Sequence, residues 1–501
     1  MTMQRIYDTR EGKKVDLQLR EPGKVGIYGC GVTVYDLCHV GHARTLVAYD
    51  VIARHLRQRG LQVRMVRNIT DVDDKIIRKG HAEGRTAAEV AKFYADAMAA
   101  DMAALGIATP DIEPRATDHI AEMIDVIRRL EERGLAYAVE GDVYYSVAGF
   151  PGYGGLSGQS IDDLQAGARI EVGEHKRSPL DFALWKGAKP GEPQWPSPWG
   201  PGRPGWHIEC SAMSHKYLGD AFDIHCGGSD LIFPHHENEI AQSEGAFGSF
   251  ARHWMHSGMV NFGGEKMSKS LGNVVTIRRV AETHDLEALR LLLISVHYRS
   301  PANFTIGRTA TGEPAYPDLD EAEARLDYFY RTLDRLDAFL AQTKLPENLP
   351  PSELAKNAGV AMDDDFNTAA AIGHLYDAFV LANKLLDDPK SMPKLERQHT
   401  LAAIARGARM VGATLGIMLR PPSEFLLARR DRLCQRRHLD RDAVDARIAD
   451  RTAARAAKDF KRADEIRAEL KGSGVELMDT PAGTTWRVVS ESTAAAAAAT
   501  P

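Results

Sequence analysis

One strand–helix–strand unit near the start of the chain limits the fold more than any other feature. The stretch KVGIYGCGVTV (24–34) is apolar, β-branched and punctuated by glycine, as a buried strand would be. HARTLVAYDVIARHLRQRG (42–60) predicts a helix that Gly60 ends, and LQVRMVRNI (61–69) predicts the next strand. The predicted buried face of the helix consists of Leu46, Tyr49, Ile52, Ala53 and Leu56. A unit of this length is a βαβ crossover, so it predicts an α/β fold with a parallel sheet.

Length and composition place this unit in a multidomain globular protein. The chain has 501 residues, of which 44% are hydrophobic and 26% charged, and we expect two to four domains. The net charge of −6 gives no global basic field, so a nucleic-acid partner would need a local basic surface. Five scattered cysteines are not a disulfide framework and favour a reducing compartment. The start of the chain lacks the apolar core of a signal peptide, and no apolar run approaches the roughly 18–20 residues of a membrane span. We therefore expect a cytoplasmic protein without membrane contact.

Further patterns predict where other helices and strands lie. We expect helices near 86–105 and 117–133, a hairpin over 135–147 that turns at Glu140–Gly141, a loop over 187–205, and a strand over 221–228 followed by a helix. Beyond about residue 280 the strand pattern fades, and from about 320 the chain is mostly helical. A short β segment, TPAGTTWRV, returns near the end.

The shift from mixed to helical composition predicts a domain boundary near 300–320. The breaker-rich segment 305–321 predicts an exposed loop there. Between Arg429 and Lys471, 14 basic residues stand against 9 acidic ones, a pattern that suits RNA but also fits solvated amphipathic helices. The expected parts are an α/β domain over 1–305 with an insertion at about 110–205, a helical bundle over 306–424, a small module over 425–490 and a disordered tail over 491–501.

Two short motifs could bind phosphate groups. CHVGHAR places His39, Gly41 and His42 at the start of the predicted helix, where backbone N–H groups and the helix dipole attract anions. Gly41 lacks a Cβ, so a flat ring such as adenine can approach the backbone. The same pattern fits ordinary helix capping or surface histidines. In GGEKMSKSLGN, Lys266 and Lys269 lie in a glycine-hinged loop that could close over phosphates, although they also fit a solvated charge pair.

Four residues far apart in the chain could bind one metal ion. Cys30 follows the first predicted strand, Cys210 lies in GWHIECSAM, and FPHHENEIA offers His235 and Glu239 one helical turn apart. His236 with Glu239 is an alternative pair. Sulfur, imidazole and carboxylate donors together suit zinc. From spacing alone, an equally good interpretation is that both cysteines are small buried residues and that His235 caps a helix.

The phosphate motifs occur together, and the pair carries a resemblance. HVGH is similar to the HIGH motif, and KMSKS matches the KMSKS motif, of class I aminoacyl-tRNA synthetases. Within that class, YGCGVTVYDLCHVGH, RNITDVDDKI, PGWHIECSAM and GGSDLIFPHHENEIAQ resemble the cysteinyl-tRNA synthetases. The resemblance runs from about residue 4 to 304 and, more weakly, to GTTWR (483–487). It implies a Rossmann-type catalytic domain over 1–305 and a small α+β anticodon-binding module over 425–490.

The resemblance also implies a set of site residues. The residues implied to bind ATP, accompanied by Mg²⁺, are His39, Gly41, His42, Lys266 and Lys269, all but the glycine being catalytic. The residues implied to bind one zinc ion per chain are Cys30, Cys210, His235 and Glu239. The residues implied to line the amino-acid pocket are Gly31, Thr70, Trp206, His225 and Asp230.

The implied reaction joins L-cysteine to the 3′ end of tRNA(Cys) through a cysteinyl-adenylate, in a monomeric enzyme. Zinc would select the substrate as a thiolate, because a bound metal lowers the pKa of a thiol and prefers it to the hydroxyl of serine. Shape alone would separate such isosteres by only about 10²-fold. Metal selection would therefore make a separate editing domain unnecessary.

Two alternative functions remain open from the sequence. One is a related ligase that joins cysteine to an amino sugar in mycothiol synthesis, but it lacks a long anticodon-binding end. The other is a catalytically inactive relative that only binds zinc or RNA. The roughly 180 C-terminal residues argue against the first, and the presence of every motif residue argues against the second.

Several positions depart from the expected pattern or carry weaker interpretations. HVGH replaces HIGH, and Cys226 stands where glycine is expected, which makes it a conceivable rival ligand. The acidic run DVDD (71–74) is better explained by helix capping than by magnesium. Cys38 is expected to be buried without a chemical role. Trp486 is expected to be exposed and able to stack on an anticodon base.

Overall fold

The computed structural model divides the chain into two compact units. It describes residues 4–159, 176–263, 265–266, 274–308, 312, 314–344, 350–480 and 483–489, without the side chains of residues 265, 266 and 480. The first unit takes the described parts of Met1–Ile277, Leu293–Ala302 and Gly359–Ala371. The second takes those of Arg278–Leu292, Asn303–Ala358 and Ile372–Pro501. The domain bounds expected from the sequence, and the tail over 491–501, which lies outside the described residues, stay predictions.

The strands have the following bounds. In chain order they are β1 Arg5–Asp8, β2 Lys13–Asp16, β3 Lys24–Gly29, β4 Gln62–Arg67, β5 Ala136–Val139, β6 Asp142–Tyr145, β7 Phe182–Gly187, β8 Gly202–Pro204, β9 Phe222–Gly228, β10 Ala251–Ser257, β11 Val260–Phe262, β12 Glu265–Lys266, β13 Ala302–Asn303, β14 Gly307–Arg308, β15 Pro314–Ala315, β16 Val475–Thr480 and β17 Gly483–Val488.

The helices have the following bounds. In chain order they are α1 Val40–Gln58, α2 Asp74–Glu83, α3 Ala87–Ala104, α4 Ile120–Glu132, α5 Trp206–Leu218, α6 Glu237–Phe247, α7 Ile277–Ala281, α8 Leu286–Ile294, α9 Pro317–Ala341, α10 Glu353–Asp363, α11 Thr368–Asp387, α12 Lys394–Leu415, α13 Pro422–Arg436, α14 Arg441–Ala456 and α15 Phe460–Gly472.

A four-stranded parallel sheet organises the first unit. Its order is β10-β9-β3-β4, and every neighbouring pair is parallel, which confirms the predicted crossover from β3 through α1 to β4. Strand β3 has β4 on one side and β9 on the other, so the strand order reverses there. Ligands of such sheets bind in the crevice outside the carboxyl ends of the strands at this reversal. The residues after β3, β4 and β9 therefore lie where a ligand of such a sheet would bind.

Helix α1 packs as its periodicity predicts. All five residues of the predicted apolar face are buried. The helix begins at Val40, two residues before the predicted start, because His39 acts as its N-cap. Gly60 follows the helix with φ +84°, a left-handed conformation that favours glycine. The strand before it is shorter than predicted and ends at Gly29, so that Cys30 already lies beyond the sheet edge.

An antiparallel sheet lies between the halves of the parallel one in sequence. Its order is β5-β6-β7-β8. The predicted hairpin turns at Glu140 and Gly141, which have φ values of +50° and +91°, as a tight two-residue turn requires. Tyr145 and Trp185 from this sheet are fully buried in the core cluster that also contains Cys30 and Cys210.

The segment 305–321 is only partly the exposed loop that the sequence predicted. Among its described residues, β14 pairs antiparallel with β15, and α9 begins at Pro317. Tyr316 is buried, with its ring centroid 5.5 Å from that of Phe304. Proline at the first position of a helix removes an N–H that would have no partner. Part of the breaker-rich composition therefore marks a helix start.

The end of the chain forms a small α+β module. Helices α14 and α15 pack on the β16–β17 hairpin around a core that includes Val444, Ile466 and Trp486. The expectation of an exposed Trp486 is wrong, because its side chain is only 7% exposed and its Nε1 donates to Asp445 at 2.7 Å. Alternate residues of a strand face opposite sides, and Trp486 shares its side with buried Val488.

The described helices give no sign of a membrane span. None of them is both long enough and apolar enough to cross a bilayer.

Candidate active site and metal-binding cluster

A buried cluster of sulfur, imidazole and carboxylate groups lies at the carboxyl edge of the parallel sheet. Cys30 is the first residue after β3, and Cys210 lies on α5. His235 lies in the short helical turn Ile232–His236 that leads into α6, and Glu239 lies in the first turn of α6. One potential ligand atom from each of the four lies within 4.8 Å of the others, and all four residues are buried. The fold thus brings together residues from three distant stretches of sequence.

The distances inside the cluster fit a single ion. The Cys30 and Cys210 sulfurs are 3.8 Å apart, and Oε1 of Glu239 lies 3.5 Å from the Cys30 sulfur and 3.0 Å from Nε2 of His235. Two sulfurs bound tetrahedrally about 2.3 Å from one zinc ion would lie about 3.8 Å apart. The donor atoms are also the types that zinc prefers. The four residues therefore fit the metal that the sequence suggested.

Burial and mutual charge shift the pKa values of the cluster. Burial raises the pKa of the Cys30 thiol well above its usual range, since a thiolate there would leave water. Burial alone would lower the pKa of His235, but the Glu239 carboxylate outweighs it and raises that pKa to about 10. Burial likewise opposes ionisation of Glu239, yet His225 and His235 hold its pKa well below the ordinary value. Such a desolvated mixture of charges is stable only when its members compensate one another or share a cation.

A second set of donors overlaps the first. Cys30, His225, His236 and Glu239 also present ligand atoms within 4.8 Å of one another. Nε2 of His236 lies 3.3 Å from the Cys30 sulfur, and Nε2 of His225 lies 2.8 Å from Oε2 of Glu239. The alternative that paired His236 with Glu239 therefore remains geometrically open. Only the first set contains both sulfurs.

Three of the predicted pocket residues line one side of the cluster. The Gly31 N–H donates to the Asn68 side chain at 2.9 Å, and the Asn68 amide donates to the Thr70 hydroxyl. A Cβ on Gly31 would lie 1.6 Å from the Asn68 carbonyl oxygen, so only glycine fits there. The Trp206 ring stacks on His235, with centroids 4.1 Å apart, and is 37% exposed. These contacts place a partly exposed aromatic wall directly over a metal-ligand candidate.

The two other predicted pocket residues lie on or just after β9. His225 is fully buried within the strand and reaches the cluster through Glu239. Asp230 is exposed in the short turn that follows, and its carboxylate lies close above Gly228, where a Cβ would be 2.5 Å from Oδ1. Asp230 is thus exposed just beyond the carboxyl end of β9, whereas His225 is buried within that strand.

The HVGH motif forms the N-terminus of α1. The His39 side chain accepts from the His42 N–H, and the His42 side chain accepts from the His39 N–H, both at 3.3 Å. The two imidazole rings stack with centroids 3.6 Å apart. This reciprocal cap satisfies two helix-terminal N–H groups, so the capping interpretation is correct, and it also fixes both rings at the positive end of the helix.

The KMSKS loop cannot be described in the same way. Lys269 lies outside the described residues, and Lys266 is described only as backbone in β12. The chain that leaves the loop is described, and it runs beside the HVGH motif. The Val40 N–H donates to the Val275 carbonyl at 3.0 Å, and the Ile277 N–H donates to the Cys38 carbonyl at 3.0 Å. The exit of the lysine loop is therefore anchored at the start of α1.

Comparison with known protein families assigns most of the chain. The family model for the tRNA synthetases class I (C) catalytic domain matches residues 16–311. A DALR domain matches residues 359–419, and a cysteinyl-tRNA ligase anticodon-binding domain matches residues 441–487. The cysteine–tRNA ligase of Anaeromyxobacter dehalogenans (strain 2CP-1) is 53% identical over 492 residues, which cover 96% of this chain and 99% of the relative. The chain belongs to the cysteine–tRNA ligase family.

Other similar proteins agree with this family and with the fold. The cysteine–tRNA ligase of Geobacter metallireducens is 51% identical over 496 residues, covering 97% of this chain and 99% of the relative. The structure of Mycobacterium tuberculosis methionyl-tRNA synthetase with methionyl-adenylate matches with a TM-score of 0.56 at 16% identity, over 80% of this chain and 93% of that one. This likeness confirms the predicted fold class, a Rossmann-type parallel-sheet domain with an inserted region, a helical bundle and a small C-terminal α+β module.

Against the family pattern, the structure adds residues that sequence reasoning did not single out. Asn68 connects Gly31 to Thr70, and its Oδ1 lies 3.7 Å from the Cys210 sulfur. Glu209 is fully buried and accepts from the Thr70 hydroxyl at 2.8 Å. The only sequence signal for these two residues was their position next to recognised motifs. Asn68 lies within RNITDVDDKI, and Glu209 directly precedes Cys210.

The remaining expectations concern a cysteine and an acidic run. Cys226 is buried within β9 and belongs to neither donor set found among the described residues, so the structure does not place it as a rival ligand. Asp73 caps α2 by accepting from the Lys75 N–H, as expected. Asp74 bonds to Lys186 and Arg203, which gives the run a structural role.

Proposed function

We propose that the chain is a cysteine–tRNA ligase that activates L-cysteine with ATP and transfers it to the 3′ end of tRNA(Cys). The observation that carries this proposal is the buried cluster of two cysteines, a histidine and a glutamate, together with the HVGH helix start that follows β3 of the same sheet. Family membership supports the activity. The cluster explains how cysteine would be chosen, and the helix start explains where ATP would lie.

The amino-acid end is built to hold one zinc ion per chain. Cys30, Cys210, His235 and Glu239 are the proposed ligands, and their donor types and separations support this. A zinc ion held there would bind the sulfur of cysteine as a thiolate and discriminate against serine.

The pocket residues orient the rest of the substrate. Gly31 lets the backbone after Cys30 approach the Asn68 backbone closely, and the Asn68 side chain links Gly31 to Thr70. Trp206 stacks on His235 and would shield a bound substrate sulfur from water. His225 fixes the orientation of the Glu239 carboxylate, and Asp230 stands where the ammonium group of an amino acid could be attracted. The substrate carboxylate is thereby free to attack the α-phosphate of ATP, so no side chain needs to act as nucleophile.

The phosphate end stabilises negative charge. His39, Gly41 and His42 at the start of α1 would hold ATP, which enters with Mg²⁺. Lys266 and Lys269 would close from the KMSKS loop and stabilise the charge that builds on the α-phosphate. The anchoring of the loop exit beside Val40 supports this arrangement.

The C-terminal part would bind the tRNA. The match of residues 441–487 to an anticodon-binding domain supports this assignment, as does the basic excess between Arg429 and Lys471. We propose the domain bounds expected from the sequence, with the catalytic domain over 1–305, the bundle over 306–424 and the module over 425–490. A monomeric state and a cytoplasmic location also remain predictions.

The deciding experiment has two stages. Cysteine-dependent ATP–pyrophosphate exchange is measured first, with serine as the control amino acid. Charging of tRNA(Cys) is then compared with ligation of cysteine to an amino sugar. We expect exchange with cysteine and charging of the tRNA. No exchange would reject both ligase functions, and exchange with amino-sugar ligation but no charging would reject the tRNA ligase.

A further inference from the structure

A hydrogen-bonded chain runs from the metal-binding cluster to the first turn of the protein. Nε2 of His236 lies 3.3 Å from the Cys30 sulfur, and Nδ1 of His236 lies 2.8 Å from Nε2 of His256. Nδ1 of His256 lies 2.7 Å from the Thr9 hydroxyl. These three links join β3, the start of α6, β10 and the segment after β1. Neither His256 nor Thr9 belongs to a donor set.

The chemistry of the sulfur end fixes the direction of this chain. A metal-bound cysteine is a thiolate, which has no proton and can only accept. His236 must then carry its proton on Nε2, so its Nδ1 accepts from His256. His256 carries its proton on Nε2 in turn, and its Nδ1 accepts from the Thr9 O–H. Every donor points towards the Cys30 sulfur.

Aromatic neighbours hold the His236 ring in place. The His236 ring packs against both His225 and Trp254, with centroids 4.5 Å and 5.3 Å away. A neutral imidazole has one N–H, so each ring can donate in one direction only.

The backbone makes room for the His236 ring. A Cβ at Gly227 would lie 2.2 Å from Cε1 of His236. Strand β9 therefore needs glycine at position 227, because the His236 imidazole occupies the space that a side chain there would fill. The position of the ring is specified by packing on several sides, which is what a group that orients a metal ligand requires.

The hydrogen-bonded chain from Thr9 to Cys30 bears on how a zinc ion with four protein ligands could still bind the substrate. Four protein ligands usually close a zinc site, yet cysteine selection needs the ion to accept one more sulfur. Hydrogen bonds donated to a ligand sulfur withdraw charge from it and leave the metal a stronger Lewis acid. We propose that His236 and His256, ending on Thr9, are positioning residues that donate to the Cys30 thiolate and so keep the bound metal able to take the sulfur of substrate cysteine. This inference rests on the proposed function.

The first test compares two variants at His236. His236→Leu removes the donor, and His236→Gln keeps an amide N–H near the position of Nε2. Both are loaded with Co²⁺, whose thiolate charge-transfer band reports on the Cys–metal bond. We expect one metal per chain in both variants and a shifted band in His236→Leu only. The KM for cysteine in pyrophosphate exchange should rise about 10- to 100-fold in His236→Leu, with a much smaller change in kcat, and recover largely in His236→Gln.

The second test acts at Thr9, the end of the hydrogen-bonded chain that is farthest from the metal-binding cluster. Thr9→Val removes the terminal O–H while keeping the shape, and Thr9→Ser keeps the hydroxyl. We expect the Thr9→Val enzyme to show a smaller band shift in the same direction and an increase of about threefold in the KM for cysteine. The Thr9→Ser enzyme should match the wild type.

Two outcomes would overturn the inference. Loss of the metal from both His236 variants would make His236 a ligand, as in the second donor set. An unchanged charge-transfer band and an unchanged KM for cysteine in His236→Leu and Thr9→Val would show that the hydrogen-bonded chain has only a structural role. Both are read against a wild type that catalyses cysteine-dependent exchange. A wild type without exchange would reject the proposed function instead.

Discussion

The two ends of the candidate active site are built in different ways. The sulfur end consists of four fully buried side chains, Cys30, Cys210, His235 and Glu239, which only the fold brings together. The histidine part of the phosphate end consists of neighbours in sequence, His39 and His42, which are half-buried and bond to each other across one helical turn. The sulfur end depends on tertiary structure, whereas the paired histidines of the phosphate end are in place as soon as one helix forms. A change at each end should therefore have a different consequence.

The difference also has an energetic side. Removing one member of a buried polar cluster leaves its partners desolvated without compensation, which typically costs about 3–5 kcal/mol. Removing a helix cap costs about 1 kcal/mol. Damage at the sulfur end should appear in metal content and in the recognition of cysteine. Damage at the phosphate end should appear mainly in the rate of adenylate formation.

The largest effect is expected for Cys210→Ala. Loss of one sulfur should release most of the zinc and lower cysteine-dependent exchange by about a thousandfold, equivalent to roughly 4 kcal/mol. Metal content by atomic emission and exchange kinetics measure the two effects. Cys226→Ala is the matched control, since this buried cysteine lies in the same sheet and in neither donor set. Full metal content and full activity in Cys210→Ala would refute the ligand assignment.

At the phosphate end, His39→Asn and His39→Ala separate capping from ATP binding. Asparagine is a good N-cap, so His39→Asn should keep the free energy of unfolding but lower kcat for exchange by about a hundredfold. His39→Ala should lose the same activity and about 1 kcal/mol of stability in addition. Urea unfolding and exchange kinetics measure the two quantities. If His39→Asn keeps full activity, the role of His39 is limited to capping.

A third prediction concerns the backbone that connects the two ends. Gly31→Ala would place a Cβ 1.6 Å from the Asn68 carbonyl oxygen, which must move together with Cys30. We expect a loss of about 2 kcal/mol in unfolding free energy and an increase of about tenfold in the KM for cysteine. The control is Gly373→Ala, because its Cβ would meet no atom within 4 Å and alanine favours a helix. Equal behaviour of the two variants would contradict the close approach.

The smallest effect is expected at the aromatic wall of the sulfur end. Trp206→Phe keeps a ring over His235 but reduces the stacked area, so the KM for cysteine should rise about threefold. The KM for ATP, bound at the other end, should not change. Exchange assays with each substrate varied in turn measure both values. A larger change in the KM for ATP than in the KM for cysteine would contradict the placement of Trp206 at the sulfur end.

The comparison also explains which expectations were met. The βαβ unit and the apolar face of α1 follow from local periodicity, and the fold keeps them. The exposure of Trp486 was predicted wrongly because composition does not reveal which side of a strand meets the core. The segment 305–321 was assigned wholly to a loop because proline and glycine mark helix starts as well as turns. Asn68, Glu209 and His256 gain their roles only from neighbours that are distant in sequence.

The sequence by itself determined the parallel sheet, the helix that begins at HVGH and the identity of the metal-ligand candidates. These follow from periodicity, helix-terminal chemistry and residue type, all of which act over a few residues. Only the tertiary structure decided that Cys30 meets Cys210, His235 and Glu239, and that His236, His256 and Thr9 form a chain behind them. Those contacts exist because parallel strands bring their carboxyl ends to one edge and because polar groups buried in the core must find their partners there.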